Sequence, residues 1–291
     1  DIGGEYIYRL YHPRKTRLNI SMKSFTYRLK TIILTKNMLA SIVIGTVMLL
    51  WNHLAMWIGY NVNIGPLPLR EMGSVFLDDI YKAYNLSGFG LFVPFIAVLP
   101  AATLFCEDYN SGYITSILGR MKRRRYITES IANVTLSGGL AVFIPCFLSY
   151  TFFLWNGKLN TVENMYGNYS TVFDESVYSE IQYIGGGLLL YVFLLILAFM
   201  TGAVWAMAGY FVSTITTNRY IVLAAPFVIY FTAHLVLYRT QKYLLYSPIN
   251  MIFPDGTFIP SPVFPFLYQI VLGVILCIGS ICCLRRKLYD L

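Results

Sequence analysis

From residue 38 onward the chain is laid out as long apolar blocks separated by shorter polar stretches, with no strict alternation inside the blocks. Six blocks stand out, at about residues 38–58, 88–106, 131–155, 184–213, 220–238 and 264–284. A helix rises about 1.5 Å per residue, so about 20 apolar residues cross the hydrocarbon core of a bilayer. Membrane barrels instead use alternating segments of about ten residues. The pattern therefore predicts an all-α polytopic membrane protein with six transmembrane helices. Prolines 94, 100 and 145 fall inside the second and third blocks, where kinks are expected. The fourth block holds Gly202, Ala203, Ala206, Ala208 and Gly209, small residues that let helices pack closely.

Two segments break the simple alternation of span and loop. Residues 22–36 place Met22, Phe25, Leu29, Ile32 and Ile33 at helical spacing, with Lys23, Arg28, Lys30 and Lys36 among them. This is the mark of an amphipathic helix lying in the membrane interface, with Phe25, Leu29 and Ile32 turned to lipid and Arg28 and Lys30 to headgroups. Residues 239–263 are too apolar for a free loop and too rich in proline for a span, so a broken, re-entrant-like segment is expected before the last helix. The organisation is a polar N-terminal segment (1–21), one transmembrane domain (22–288) and a basic tail (285–291). The first residues are polar and basic, so the first span is expected to direct insertion itself.

Composition agrees and adds an orientation. The chain is 57% hydrophobic and 12% charged, where a soluble domain carries about 25% charged residues. Segments 1–37, 107–130, 214–219 and 285–291 hold 17 of the chain's 22 lysines and arginines. Basic residues beside spans are retained on the cytoplasmic side, so both termini and the 107–130 loop are expected inside a plasma membrane. The net charge of +8 is accounted for in this way, with no nucleic-acid partner implied. The five cysteines all lie in or beside spans, where they act as small hydrophobes rather than disulfide partners.

The loop at 107–130 is the most informative stretch. Glu107 and Asp108 close an apolar block, a short amphipathic piece follows from Tyr109 to Leu118, and a basic run ends at Arg123, Arg124 and Arg125. The helix-length piece is more than a stop-transfer charge cluster requires. Its apolar side chains Tyr113, Ile114, Ile117 and Leu118 read as anchors for a soluble partner, and the arginines as anchors to anionic headgroups. Glu107 at the membrane edge has two readings from sequence: a pair with Arg28 or Lys30 of the interfacial helix, or solvation by headgroups and water.

The order of an interfacial helix, six spans, a long loop after span two and a broken segment before span six resembles the membrane subunit of type 2 ABC exporters. The local likeness is Phe105-x-Glu107, then Gly112 four residues further than Asp108, an amphipathic helix and Arg124 or Arg125. The acid and glycine stand one residue further apart than the family's usual spacing. Ser247-Pro248, Asn250 and Phe253 resemble the family's segment before the last span. The resemblance covers about residues 22–288. It implies that Glu107, Gly112, Tyr113, Ile114, Ile117 and Leu118 form a coupling helix docking on a separate cytoplasmic ATPase, which carries the ATP and Mg. It also implies a second permease copy or paralogue, and a cargo such as an amphipathic peptide of the bacteriocin or phenol-soluble modulin kind.

The residues themselves set limits on chemistry. The chain has no Gly-x-x-x-x-Gly-Lys-Ser/Thr loop, no His-Glu-x-x-His and no Gly-x-Ser-x-Gly, so no cofactor, metal or catalytic residue is expected in it. His53 and His234 fall at similar depth, and an intramembrane enzyme built on them is one alternative; a non-transporting immunity or scaffold protein is another. No acid lies mid-span, which disfavours an ion-coupled carrier. Met56, Phe92, Phe95, Phe153, Tyr191 and Phe227 are candidates to line a cargo path. Such a path suits apolar or amphipathic cargo: a peptide first, with a lipid or lipophilic drug as the alternative.

Overall fold

In the computed structural model the described residues are 25–63, 83–84, 87–156, 188–240, 246–253 and 261–289. They form helices and turns, with no strand among them. The helices are α1 (Phe25–Ile33), α2 (Lys36–Asn63), α3 (Phe89–Val98), α4 (Leu104–Asn110), α5 (Tyr113–Arg120), α6 (Arg123–Asn156), α7 (Leu188–Ile215), α8 (Arg219–Arg239) and α9 (Phe264–Tyr289). A 3-10 turn, Pro248–Met251, precedes α9.

By length and composition, α6, α7, α8 and α9 are each sufficient to cross a membrane. The bent pair α1–α2, with 52° between its halves, makes a fifth if taken as one span. The bend falls at Leu34–Thr35, where the Thr35 hydroxyl donates to the Ile32 carbonyl at 2.7 Å and also accepts from the Met38 amide at 3.3 Å. One hydroxyl thus closes α1 and caps the start of α2. Ile32 does not face outward as expected for a lipid-facing position; it is buried in the core.

The expected second span at 88–106 is not one helix. α3 ends at Val98, a turn runs through 99–103, and α4 restarts at Leu104. Pro100 lacks an amide hydrogen and its ring collides with the preceding turn of a helix, which accounts for the break. Pro94 sits inside α3 without breaking it. Its missing amide leaves the Gly90 carbonyl without the usual helical donor, and the buried Tyr230 hydroxyl of α8 donates to that carbonyl at 2.6 Å. Tyr230 is held in turn by Trp205 of α7, edge to face with ring centres 4.8 Å apart.

α7 is the central helix, packed against α6, α9, α3 and α8. Its small residues do what their spacing suggests. A Cβ on Gly202 would lie 2.5 Å from the Gly138 carbonyl oxygen, and one on Gly138 would lie 3.0 Å from that of Gly202 and 3.1 Å from that of Ala97. The backbones of α3, α6 and α7 therefore meet at a point where no side chain fits. Gln269 of α9 is buried and donates to the buried Thr201 of α7 at 2.9 Å, a polar clasp between two otherwise apolar helices.

The outer faces of α8 and α9 are strongly apolar. Ile229, Val236, Leu267, Val271, Ile275 and Ile278 are each half or more exposed. In water such patches are rarely left uncovered, and on span-length helices they are the surface that lipid covers. The chain is a helical membrane protein. α6 and α9 also start earlier or end later than the apolar blocks did: Arg123–Arg125 form the first turn of α6, and Arg285–Lys287 lie within α9. Helices of 34 and 26 residues exceed the roughly 20 that cross the hydrocarbon, so their charged ends project beyond it.

Candidate functional site

α4, α5 and the start of α6 form one polar end of the bundle, and α1 lies against them. Gly112 separates α4 from α5 with φ 69°, a left-handed conformation that favours glycine. The helix is interrupted there, and α5 starts afresh at Tyr113. α4 is fastened from behind: the Cys106 thiol and the Asn110 side-chain amide both donate to the Thr217 carbonyl, at 2.6 and 2.9 Å. That carbonyl lies in the link between α7 and α8. Lys287, near the end of α9, places its ammonium over the rings of Phe105 and Tyr109 at 5.5 and 5.4 Å.

The acid that meets α1 is Asp108, not Glu107. Asp108 Oδ2 accepts from Arg28 Nη2 at 2.7 Å and from the Tyr126 hydroxyl at 2.8 Å, and Arg28 also stacks over the Tyr126 ring at 5.5 Å. One carboxylate oxygen therefore joins α1, α4 and α6. Glu107 is exposed and accepts from Thr103 within its own turn at 2.8 Å. The reason is helical phase. Phe105 is buried, and Asp108 three residues on shares its inward face, while Glu107 points elsewhere. That spacing was the available signal for Asp108. Lys30 is exposed, and Phe25 and Leu29 are half-buried.

The expected apolar anchors of α5 divide between two faces. Ile114 and Ile117 are buried and pack onto the bundle; Leu118 is partly buried against it; Tyr113 is 55% exposed. Ile114 and Ile117 therefore hold α5 to its own domain rather than meeting a partner. The outward face consists of Tyr113, Thr115, Ser116, Gly119 and Arg120. Beside it, between α1, α5 and α6, lies a cleft of about 340 Å3 reached by Tyr27, Arg28, Tyr113, Arg120 and Arg125.

Arg125 differs from its two neighbours. Its Nε donates to Glu129 Oε1 at 2.6 Å, one helical turn on, and Glu129 is buried. Arg125 is thus tied into α6 rather than reaching for headgroups. A buried acid at the start of a span was not foreseen, and its position four residues after an arginine was the only hint.

Of the five candidate path residues whose side chains are described, Phe92 and Phe227 pair with each other, and the others are spread between the core and α3. Phe153 and Tyr191 are buried in the core, and Tyr191 shares a 3.0 Å hydrogen bond with Thr151. Phe92 stacks on Phe227 at 5.7 Å towards the outside, with Phe231 continuing the stack at 6.0 Å, and Phe95 is half-buried on α3. The side chains of Met56 and His53 lie outside the described residues. His234 Nδ1 is 2.8 Å from the Ser247 hydroxyl, so α8 is bonded to the segment before α9. Of that segment, Pro248, Met251, Ile252 and Phe253 are buried, and Phe253 stacks on Tyr84 at 5.5 Å.

No curated protein and no solved structure matches the chain. A family model described as protein of unknown function (DUF2705) matches residues 67–288, which include the polar end and every helix from α3 to α9. The chain belongs to that family.

Proposed function

We propose that the chain is the membrane subunit of an ATP-driven exporter of the type 2 ABC kind, worked by a separate cytoplasmic ATPase that docks on α5. The observation that carries this reading is a short amphipathic helix set at the polar end of a membrane bundle and separated from the preceding helix by a left-handed glycine. A docking helix must pass a partner's motion to the spans. α5 is placed to do so, because Ile114 and Ile117 hold it to the bundle and the Asp108 junction joins its root to α1 and α6. The docking face in this reading is Tyr113, Thr115, Ser116 and Arg120, with the adjacent 340 Å3 cleft sized to receive a side chain of the ATPase. The permease works as a dimer with a second copy or a paralogue in the plasma membrane, with α5 on the cytoplasmic side. The cargo in this reading is amphipathic or hydrophobic, a peptide before a lipid or drug.

The test is retention of an ATP-hydrolysing subunit by the purified permease. A Tyr113→Ala, Arg120→Glu double variant loses an aromatic anchor and reverses a charge. Centrally placed anchors are worth about 2 kcal/mol each, so ATPase retention should fall by about thirtyfold or more while the bundle still folds. Wild-type retention by that variant, or a wild-type permease that holds no ATPase when the two are co-expressed, sinks the reading.

A further inference from the structure

The start of α6 and the end of α9 enclose a second notch, of about 320 Å3, lined by Arg123, Arg124, Ile127, Arg285, Leu288 and Tyr289. Its floor is apolar, since Ile127 and Leu288 are both buried. Its rim is cationic, with Arg123, Arg124 and Arg285 all exposed. The Arg123 guanidinium is propped over the Tyr289 ring at 5.6 Å, which fixes its place at the mouth. Among the described residues the ion pairs use Arg28 and Arg125, and no carboxylate pairs with the three arginines of the notch. The electrostatics are unfavourable as they stand. Arg123 and Arg124 occupy the first turn of α6, which contains no acid, so two cations sit at the positive end of the helix dipole beside a third from α9. An anion in the notch would relieve both the mutual repulsion and the dipole mismatch. Guanidinium forks match phosphate oxygens two at a time. The notch also lies at the basic ends of two span-length helices, where the apolar sequence gives way to charge.

We propose that this notch binds the phosphate of an anionic membrane lipid. Arg123, Arg124 and Arg285 take the phosphate oxygens, and Ile127, Leu288 and the Tyr289 ring receive the glycerol and the first methylenes. The site is separate from the α5 docking face and does not depend on the export reading. The shared chemistry is a phosphate oxyanion; the apolar floor is what selects a lipid over soluble phosphate.

The experiment titrates the purified full-length chain with phosphatidylglycerol, phosphatidylcholine or inorganic phosphate and counts bound lipid by native mass spectrometry. Phosphatidylglycerol should bind, phosphatidylcholine should bind much more weakly, and millimolar phosphate should not displace the lipid beyond what chloride does at equal ionic strength. Each basic residue at an anionic surface is worth about 1 kcal/mol, so an Arg123→Gln, Arg285→Gln pair should weaken lipid binding by about thirtyfold. Arg285→Gln alone, at an exposed position, should give an intermediate loss and guards against misfolding of the double variant. An Arg219→Gln, Arg239→Gln pair removes the same charge at exposed positions elsewhere and should bind as wild type. Equal losses from the two pairs, or wild-type binding by Arg285→Gln, would overturn the site. Displacement by inorganic phosphate alone would keep the arginine cluster as a phosphate site but overturn the lipid as its ligand.

Discussion

Replacing Asp108 by alanine is the sharpest probe of how α1 is held to the bundle. The carboxylate accepts two hydrogen bonds on one oxygen, from Arg28 at 2.7 Å and Tyr126 at 2.8 Å. The pair is neither at the surface nor deep: the side chains are 23% exposed for Arg28 and 13% for Asp108. Exposed ion pairs contribute about 0–1 kcal/mol, and breaking a fully buried pair costs about 3–5 kcal/mol. The intermediate burial, with a hydroxyl also left without its acceptor, places Asp108→Ala at about 2–3 kcal/mol. Asp108→Asn keeps an acceptor while losing the charge and should cost about 1–2 kcal/mol. Glu107→Ala, at an exposed site with one local bond, should cost under about 1 kcal/mol. The assay is unfolding of the purified chain in mixed micelles, followed by helicity, with a double-mutant cycle to Tyr126→Phe. That cycle should show coupling of about 1 kcal/mol between positions 108 and 126. A loss for Glu107→Ala equal to or larger than that for Asp108→Ala, or no coupling to Tyr126, would refute the junction as described.

Tyr230→Phe should destabilise by about 1–3 kcal/mol, because it strips the Gly90 carbonyl of its donor; in a Pro94→Ala background the restored amide at position 94 should supply that carbonyl and shrink the loss, as a thermal-melt cycle will read. Gly138→Ala should cost about 1–3 kcal/mol through overpacking against Ala206 and the Gly202 and Ala97 carbonyls. Gly273→Ala, whose Cβ would meet only Val204 at 3.4 Å, should be neutral or stabilising by up to about 1 kcal/mol in the same melts. For the orientation, a cysteine at Lys122 should resist a membrane-impermeant thiol reagent in intact cells and react once the membrane is opened. Reaction in intact cells would invert the proposed topology and remove α5 from the cytoplasm.

The apolar blocks were enough to read a helical membrane protein, and the ends of α8 came within a residue or two of theirs. That is because a span's length and composition answer to the bilayer, an environment uniform along the whole helix. The close packing of α7 was equally legible in its glycines and alanines. Blocks could not show that the second one breaks at Pro100 but survives Pro94. At Pro94 a distant hydroxyl, that of Tyr230, satisfies the carbonyl that the proline leaves bare, a contact made only once α3 and α8 have packed.

At the polar end, sequence located an amphipathic piece over 109–118 but missed its division at Gly112 and misassigned its faces. The apolar side of α5 was expected to meet a partner, and Ile114 and Ile117 instead meet the chain's own core. An amphipathic pattern states that a helix has something to cover; it does not state what covers it. Glu107 and Asp108 are likewise indistinguishable in type and adjacent in sequence, and only the phase of α4 against α1 and α6 chose Asp108 as the residue that joins them. Composition and hydrophobic length thus determined the class of the molecule, because they act residue by residue against solvent or lipid. The pairing of Asp108 with Arg28 and the gathering of Arg123, Arg124 and Arg285 were decided by the tertiary structure, because each depends on which helices meet, and in what phase, after the spans have packed.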